Sequence, residues 1–107
     1  MIDIHYRRGA LALEVRGHAG AGLPGSDPVC AGVSALVLTL AGNVAELAAQ
    51  DNVREPVICL DRGNARVGCR PKKSMEPVVT LVFDTVWTGL TVLSGLYPKY
   101  ISCRVTD

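Results

Sequence analysis

The chain reads as an α+β domain, two helices packed on a mixed sheet of about five strands in the order ββαββαβ. Three observations predict it. Apolar residues alternate at the amino terminus, an Asp-Pro pair opens a long Ala-, Leu- and Val-rich run at residue 28, and a second apolar run repeats at three- and four-residue steps between residues 76 and 97. At 107 residues there is room for one domain and one core, so 1–107 is read as a single unit.

Ile2, Ile4 and Tyr6 occupy every second position, as do Leu11, Leu13 and Val15, with Arg8-Gly9 between them. Residues 1–17 therefore read as a β-hairpin with one buried face. Gly17-His18-Ala19-Gly20-Ala21-Gly22-Leu23-Pro24-Gly25 holds too many glycines for a regular element and reads as a loop with wide backbone freedom. Asp27 is a preferred N-cap and Pro28 a preferred first helical residue, so a helix should start near 28 and run to about Ala49. Its first half is apolar around nearly the whole circumference and is expected to be buried on most sides.

Val57–Leu60 and Ala65–Cys69 flank Asp61-Arg62-Gly63-Asn64 and predict a second hairpin. Val79, Val82, Phe83, Val86, Leu90, Leu93 and Tyr97 follow a helical period that outweighs the strand propensity of the local Val and Thr residues. Pro98 ends that helix, and Ile101, Cys103 and Val105 alternate in a last strand.

Composition narrows the function classes. With 49% hydrophobic, 20% charged and 5% aromatic residues, the chain is that of a globular domain with an aliphatic core. The net charge of +1 provides no field for nucleic acid, and the local cluster Arg66, Arg70, Lys72, Lys73 reads as a solvated face. The amino terminus lacks a basic run followed by an apolar stretch, so no signal peptide is expected. The most apolar stretch, Val29 to Ala41, is shorter than the roughly 20 residues of a membrane span. A cytoplasmic protein is expected, with Cys30, Cys59, Cys69 and Cys103 reduced. No cysteine has a partner at metal-site spacing, so neither a metal nor a cofactor is expected.

The chemistry concentrates between residues 17 and 35. Cys30 falls in the first turn of the long helix, where free N–H groups and the macrodipole favour a thiolate and could receive an oxyanion. His18 lies twelve positions earlier across the loop, far enough to fold back as general base. Asp27 caps the helix or orients the imidazole. Ser34, one turn after Cys30, lines the pocket, bonds the sulfur or back-bonds within its helix. The structural readings are a core cysteine, a surface histidine and ordinary turn glycines.

Gly17-His18-Ala19-Gly20, followed by Asp27-Pro28-Val29-Cys30-Ala31-Gly32-Val33-Ser34-Ala35, resembles the signature of the bacterial ribosomal-processing cysteine protease family, Prp. Leu96-Tyr97-Pro98-Lys99-Tyr100-Ile101 is similar to that family's carboxyl-terminal segment. The resemblance implies a cysteine endopeptidase with Cys30 as nucleophile, His18 as base, and Asp27 and Ser34 in support. It implies a homodimer, and as substrate the amino-terminal extension of a large-subunit ribosomal protein. The peptide would meet the loop at Gly20, Gly22, Leu23 and Pro24, although Ala21–Ser26 has no aromatic or charged residue. Neither membrane nor direct nucleic-acid binding is expected. Two other readings stay open: a non-catalytic peptide- or phosphate-binding module, and a processing protein of a mobile element.

Overall fold

The computed structural model describes residues 1–22 and 27–107. Strands β1 (Ile2–Arg7) and β2 (Ala12–Gly17) precede helix α1 (Pro28–Ala49). Strands β3 (Val53–Asp61) and β4 (Asn64–Pro71) follow, then a short 3-10 turn, helix α2 (Glu76–Leu96) and strand β5 (Ile101–Thr106). The element order is the expected one. The five strands form a single sheet in the order β3-β4-β2-β1-β5. Every neighbouring pair is antiparallel except β1 and β5, which run parallel, so the sheet is mixed.

Both helices lie on one face, α1 over β3 and β4 and α2 over β5, and they pack against each other. The alternating residues Ile2, Ile4, Tyr6, Leu13 and Val15 are all buried beneath them. Tyr6 stacks on Phe83 at 6.1 Å between ring centroids and meets Trp87 at 5.5 Å. Each large side chain buried in this way stabilises the fold by about 1.5–3 kcal/mol relative to leaving it exposed. The Tyr6 hydroxyl donates to Asp84 Oδ1 at 2.9 Å, and the Arg8 guanidinium binds both oxygens of the same carboxylate.

Asp27 is the N-cap of α1, with Pro28 in the first turn, as the sequence predicts. The helix ends in a Schellman arrangement: Asn52 N–H bonds Leu47 C=O at 2.9 Å and Asp51 N–H bonds Ala48 C=O at 3.0 Å. Asp51 takes the left-handed position with φ 60°, where glycine is usual.

Three expectations are corrected. The first half of α1 is not buried on most sides: Val29, Val33 and Val37 are, but Leu38 is 56% exposed. A single sheet and one neighbouring helix cover only part of a helix circumference. Strand β3 starts at Val53 rather than Val57, because a register shift between Arg54 and Val57 absorbs Pro56 on an edge strand. Tyr97 lies beyond the buried stripe of α2, as its 40% exposure shows. By length and composition alone, α1 and the Lys73–Leu96 segment are also long and apolar enough to cross a membrane. In this fold each lays a buried row on the sheet.

Candidate active site

The antiparallel pairing of β2 with β4, with Arg16 opposite Asn64, brings the end of β2 beside the two-residue turn Arg62-Gly63. Gly17 N–H then donates to Gly63 C=O at 2.9 Å. From that point the chain runs toward the amino terminus of α1. It forms no helix or strand over residues 18–22, yet its amides have fixed partners. Ala19 N–H donates to Cys30 Sγ at 3.3 Å and Ala21 N–H to Asp27 Oδ2 at 3.0 Å. Amides 17, 19 and 21 thus bind the β3–β4 turn, the cysteine sulfur and the helix cap in succession. The freedom expected from the glycine content is removed at these three points.

Asp27 is buried and makes three backbone bonds. Its Oδ1 accepts from Val29 N–H at 2.9 Å and Cys30 N–H at 3.1 Å, and Oδ2 takes Ala21. The Cys30 amide is the main reason its carboxyl is held below the ordinary carboxylate range. Burial opposes, and the amides of Ala21 and Val29 and the Cys30 side chain assist. This arrangement corrects one expectation: the amides of Val29 and Cys30 are occupied, and Ala31 N–H bonds Asp27 C=O at 3.0 Å, so these groups are not open to an oxyanion. The amide that bonds the sulfur from outside the helix is that of Ala19.

Cys30, half-buried, and His18, exposed, line one cleft of about 760 Å³ between α1 and the tip of the β3–β4 hairpin. Gly20, Gly22, Asp27 and Ser34 line it too, so the structure brings together every predicted site residue that it describes. Leu23 and Pro24 lie outside the described residues. Within this cleft no hydrogen bond joins His18 to Cys30 or to Asp27, and none joins Ser34 to the sulfur. The imidazole instead lies against Gly63. Val33, Val37, Leu38 and Leu60 supply apolar wall, and Asp61, Arg62 and Asn64 the polar rim at the hairpin tip.

The hairpin contribution is not visible in the local sequence pattern. Residues 61–64 read only as a turn, and the signal that places them at the site is the β2–β4 pairing, a long-range property absent from local sequence pattern. The other cysteines differ from Cys30 in setting. Burial pushes the Cys69 thiol up to about 11 and raises that of Cys103, whereas Cys59 sits on the edge strand with Arg66 at 3.9 Å.

The model of the family described as cysteine protease Prp matches residues 1–102. Among solved structures, the chain is similar to an essential ribosomal processing protease, Prp, from S. aureus in complex with a covalently linked product peptide. That match has 24% identity and a TM-score of 0.74, and covers 98% of this chain and 97% of the other. The same S. aureus protease with a substrate peptide matches at 24% identity and TM-score 0.67, over 98% and 97% of the two chains. The protein SMU.848 from Streptococcus mutans matches at 25% identity and TM-score 0.66, over 98% and 91%. No curated protein matches the chain.

Proposed function

Because this chain belongs to the cysteine protease Prp family, we propose that it is the endopeptidase that removes the amino-terminal extension of a large-subunit ribosomal protein, with Cys30 as nucleophile and His18 as base. The observation that carries this reading is the shared cleft: two residues twelve apart in sequence line it together, and the sulfur already accepts a backbone N–H. The S. aureus relatives hold peptides, one of them covalently linked, which supports a peptide substrate.

The steps follow from these positions. On substrate binding the imidazole closes on Cys30 and takes the thiol proton, and the sulfur attacks the scissile carbonyl carbon. The imidazolium then returns the proton to the leaving amine as the C–N bond breaks, leaving a thioester. Water, deprotonated by the same imidazole, hydrolyses the thioester and releases the thiol. The Ala19 N–H holds negative charge on the sulfur between these events. Asp27 places Cys30 by fixing the helix start and ties residue 21 to it.

The rival reading as a phosphate-binding module loses its basis, since a carboxylate already occupies the first amides of α1. The protease works as a homodimer in the cytoplasm, where its four free cysteines stay reduced, without membrane or direct nucleic-acid contact. Incubation with a peptide of the precursor tail, read by mass spectrometry, tests the reading. One cut at the extension boundary is expected, abolished by Cys30→Ser and by His18→Ala. Full cleavage by either variant overturns it.

A further inference from the structure

The β3–β4 turn meets the imidazole more closely than any side chain would allow. A Cβ added at Gly63 would stand 2.7 Å from His18 Nε2, 3.2 Å from Cε1 and 3.6 Å from Cδ2. Real Cβ atoms do not approach a neighbour at 2.7 Å, so the ring sits in space that only glycine leaves free. The turn is itself fixed. Asp61 pairs with Asn64 across it, and Gly63 takes φ +74°. The strand end that carries His18 is pinned as well. Gly17 N–H bonds Gly63 C=O at 2.9 Å, and a Cβ on Gly17 would collide with the Met1 carbonyl oxygen. His18 is otherwise exposed and makes no hydrogen bond among the described residues.

We propose that Gly63 is the seat of the His18 imidazole, a positioning residue that lets the ring rest at the cleft with its Nε2 end against the turn. An exposed histidine on an unsupported chain samples several rotamers, and few of them present a ring nitrogen to Cys30. Packing on a rigid two-residue turn limits that set before substrate arrives. The gain is orientational: a base with fewer starting orientations loses less entropy when it is positioned, and misplacement by about 1 Å can cost about 10²-fold in rate.

The inference rests on His18 being the base, and its test separates the two. Gly63→Asn is the variant of choice, because Asn tolerates positive φ and so keeps the turn while introducing the Cβ. The chain has two histidines, and His5, on β1 with its ring bonded to Thr106 and Arg104, is an internal reference. The His18 ring carbon–proton signal should move in Gly63→Asn while that of His5 stays in place. With the tail peptide, kcat should fall by about 10²-fold with KM nearly unchanged. An unmoved His18 signal or an unchanged kcat overturns the seat. Undiminished cleavage by His18→Ala, with the signal shift intact, overturns the base assignment instead.

Discussion

Asp27 spends its two carboxylate oxygens on three amides from two segments, and this makes its substitutions informative. Asp27→Asn keeps one acceptor for the cap but turns an NH2 toward Ala21 N–H, losing that tie. Asp27→Ala loses both, and its melting temperature should fall by about 4–8 °C, the change a lost N-cap brings to a domain near this size. Asp27→Asn should lie between that variant and the wild type. The carboxyl is held below its unfolded value, chiefly by the Cys30 amide, so its stabilisation is complete above the unfolded pKa and disappears as pH falls through the native one. The gap between wild type and Asp27→Asn should therefore narrow below about pH 4 in thermal melts, reflecting the usual carboxylate range. A second prediction concerns the thiols. Limiting alkylation at neutral pH should mark Cys30 first and Cys69 last, because burial leaves Cys69 almost wholly protonated. Peptide mapping checks the order, and early labelling of Cys69 contradicts it. At this scale much of the site was legible: a cap, a proline and a cysteine fall within four residues, and the loop before them can return a histidine twelve positions upstream of the cysteine. Gly63 was not legible, since its role depends on which strands pair.

At the scale of elements, both helices could be bounded from sequence because their ends carry chemistry: Asp27-Pro28 opens α1, and Pro98 follows the last turn of α2. The start of β3 could not. Pro56 argues against a strand, and the chain continues only because Glu55 takes φ 49° at the bulge, a backbone state that its side chain does not announce. Helix glycines divide by their surroundings. A Cβ on Gly89 would press on both terminal methyls of Leu36 at 3.0 Å, at the contact between α2 and α1, whereas a Cβ on Gly42 meets nothing within 4 Å. Gly42→Ala should stabilise the protein by about 0.5–1 kcal/mol, the helix-propensity gain without a clash. Gly89→Ala should gain less, because Leu36 has to give way. Denaturant unfolding of the two variants decides it, and a larger gain at 89 than at 42 contradicts this account of the helix contact.

The whole molecule is a one-sided sandwich, and its two outer surfaces differ in kind. The bare sheet face carries charge from Asp3, Glu14, Arg16 and Arg104, with Arg16 and Glu14 paired at 2.7 Å. One row along the outer side of α2 carries none: Val78, Leu81, Thr85, Thr88, Val92 and Leu96 follow one another at helical steps and are all exposed. Such a row spans about 27 Å of helix. An uncharged stripe of this length on a small domain is the surface expected of an interface rather than of a solvated helix. A second copy of the chain suits it, because a two-fold axis across α2 sets apolar residues against apolar residues with no like charges opposed. Light scattering should give twice the chain mass at micromolar concentration. Leu81→Lys, at the 65% exposed centre of the first half of the stripe, should give the single-chain mass with an unchanged circular dichroism spectrum. The polar substitution His5→Gln on the opposite face should leave the dimer intact. A wild-type monomer, or a Leu81→Lys dimer, would show that the α2 stripe is not the contact between copies.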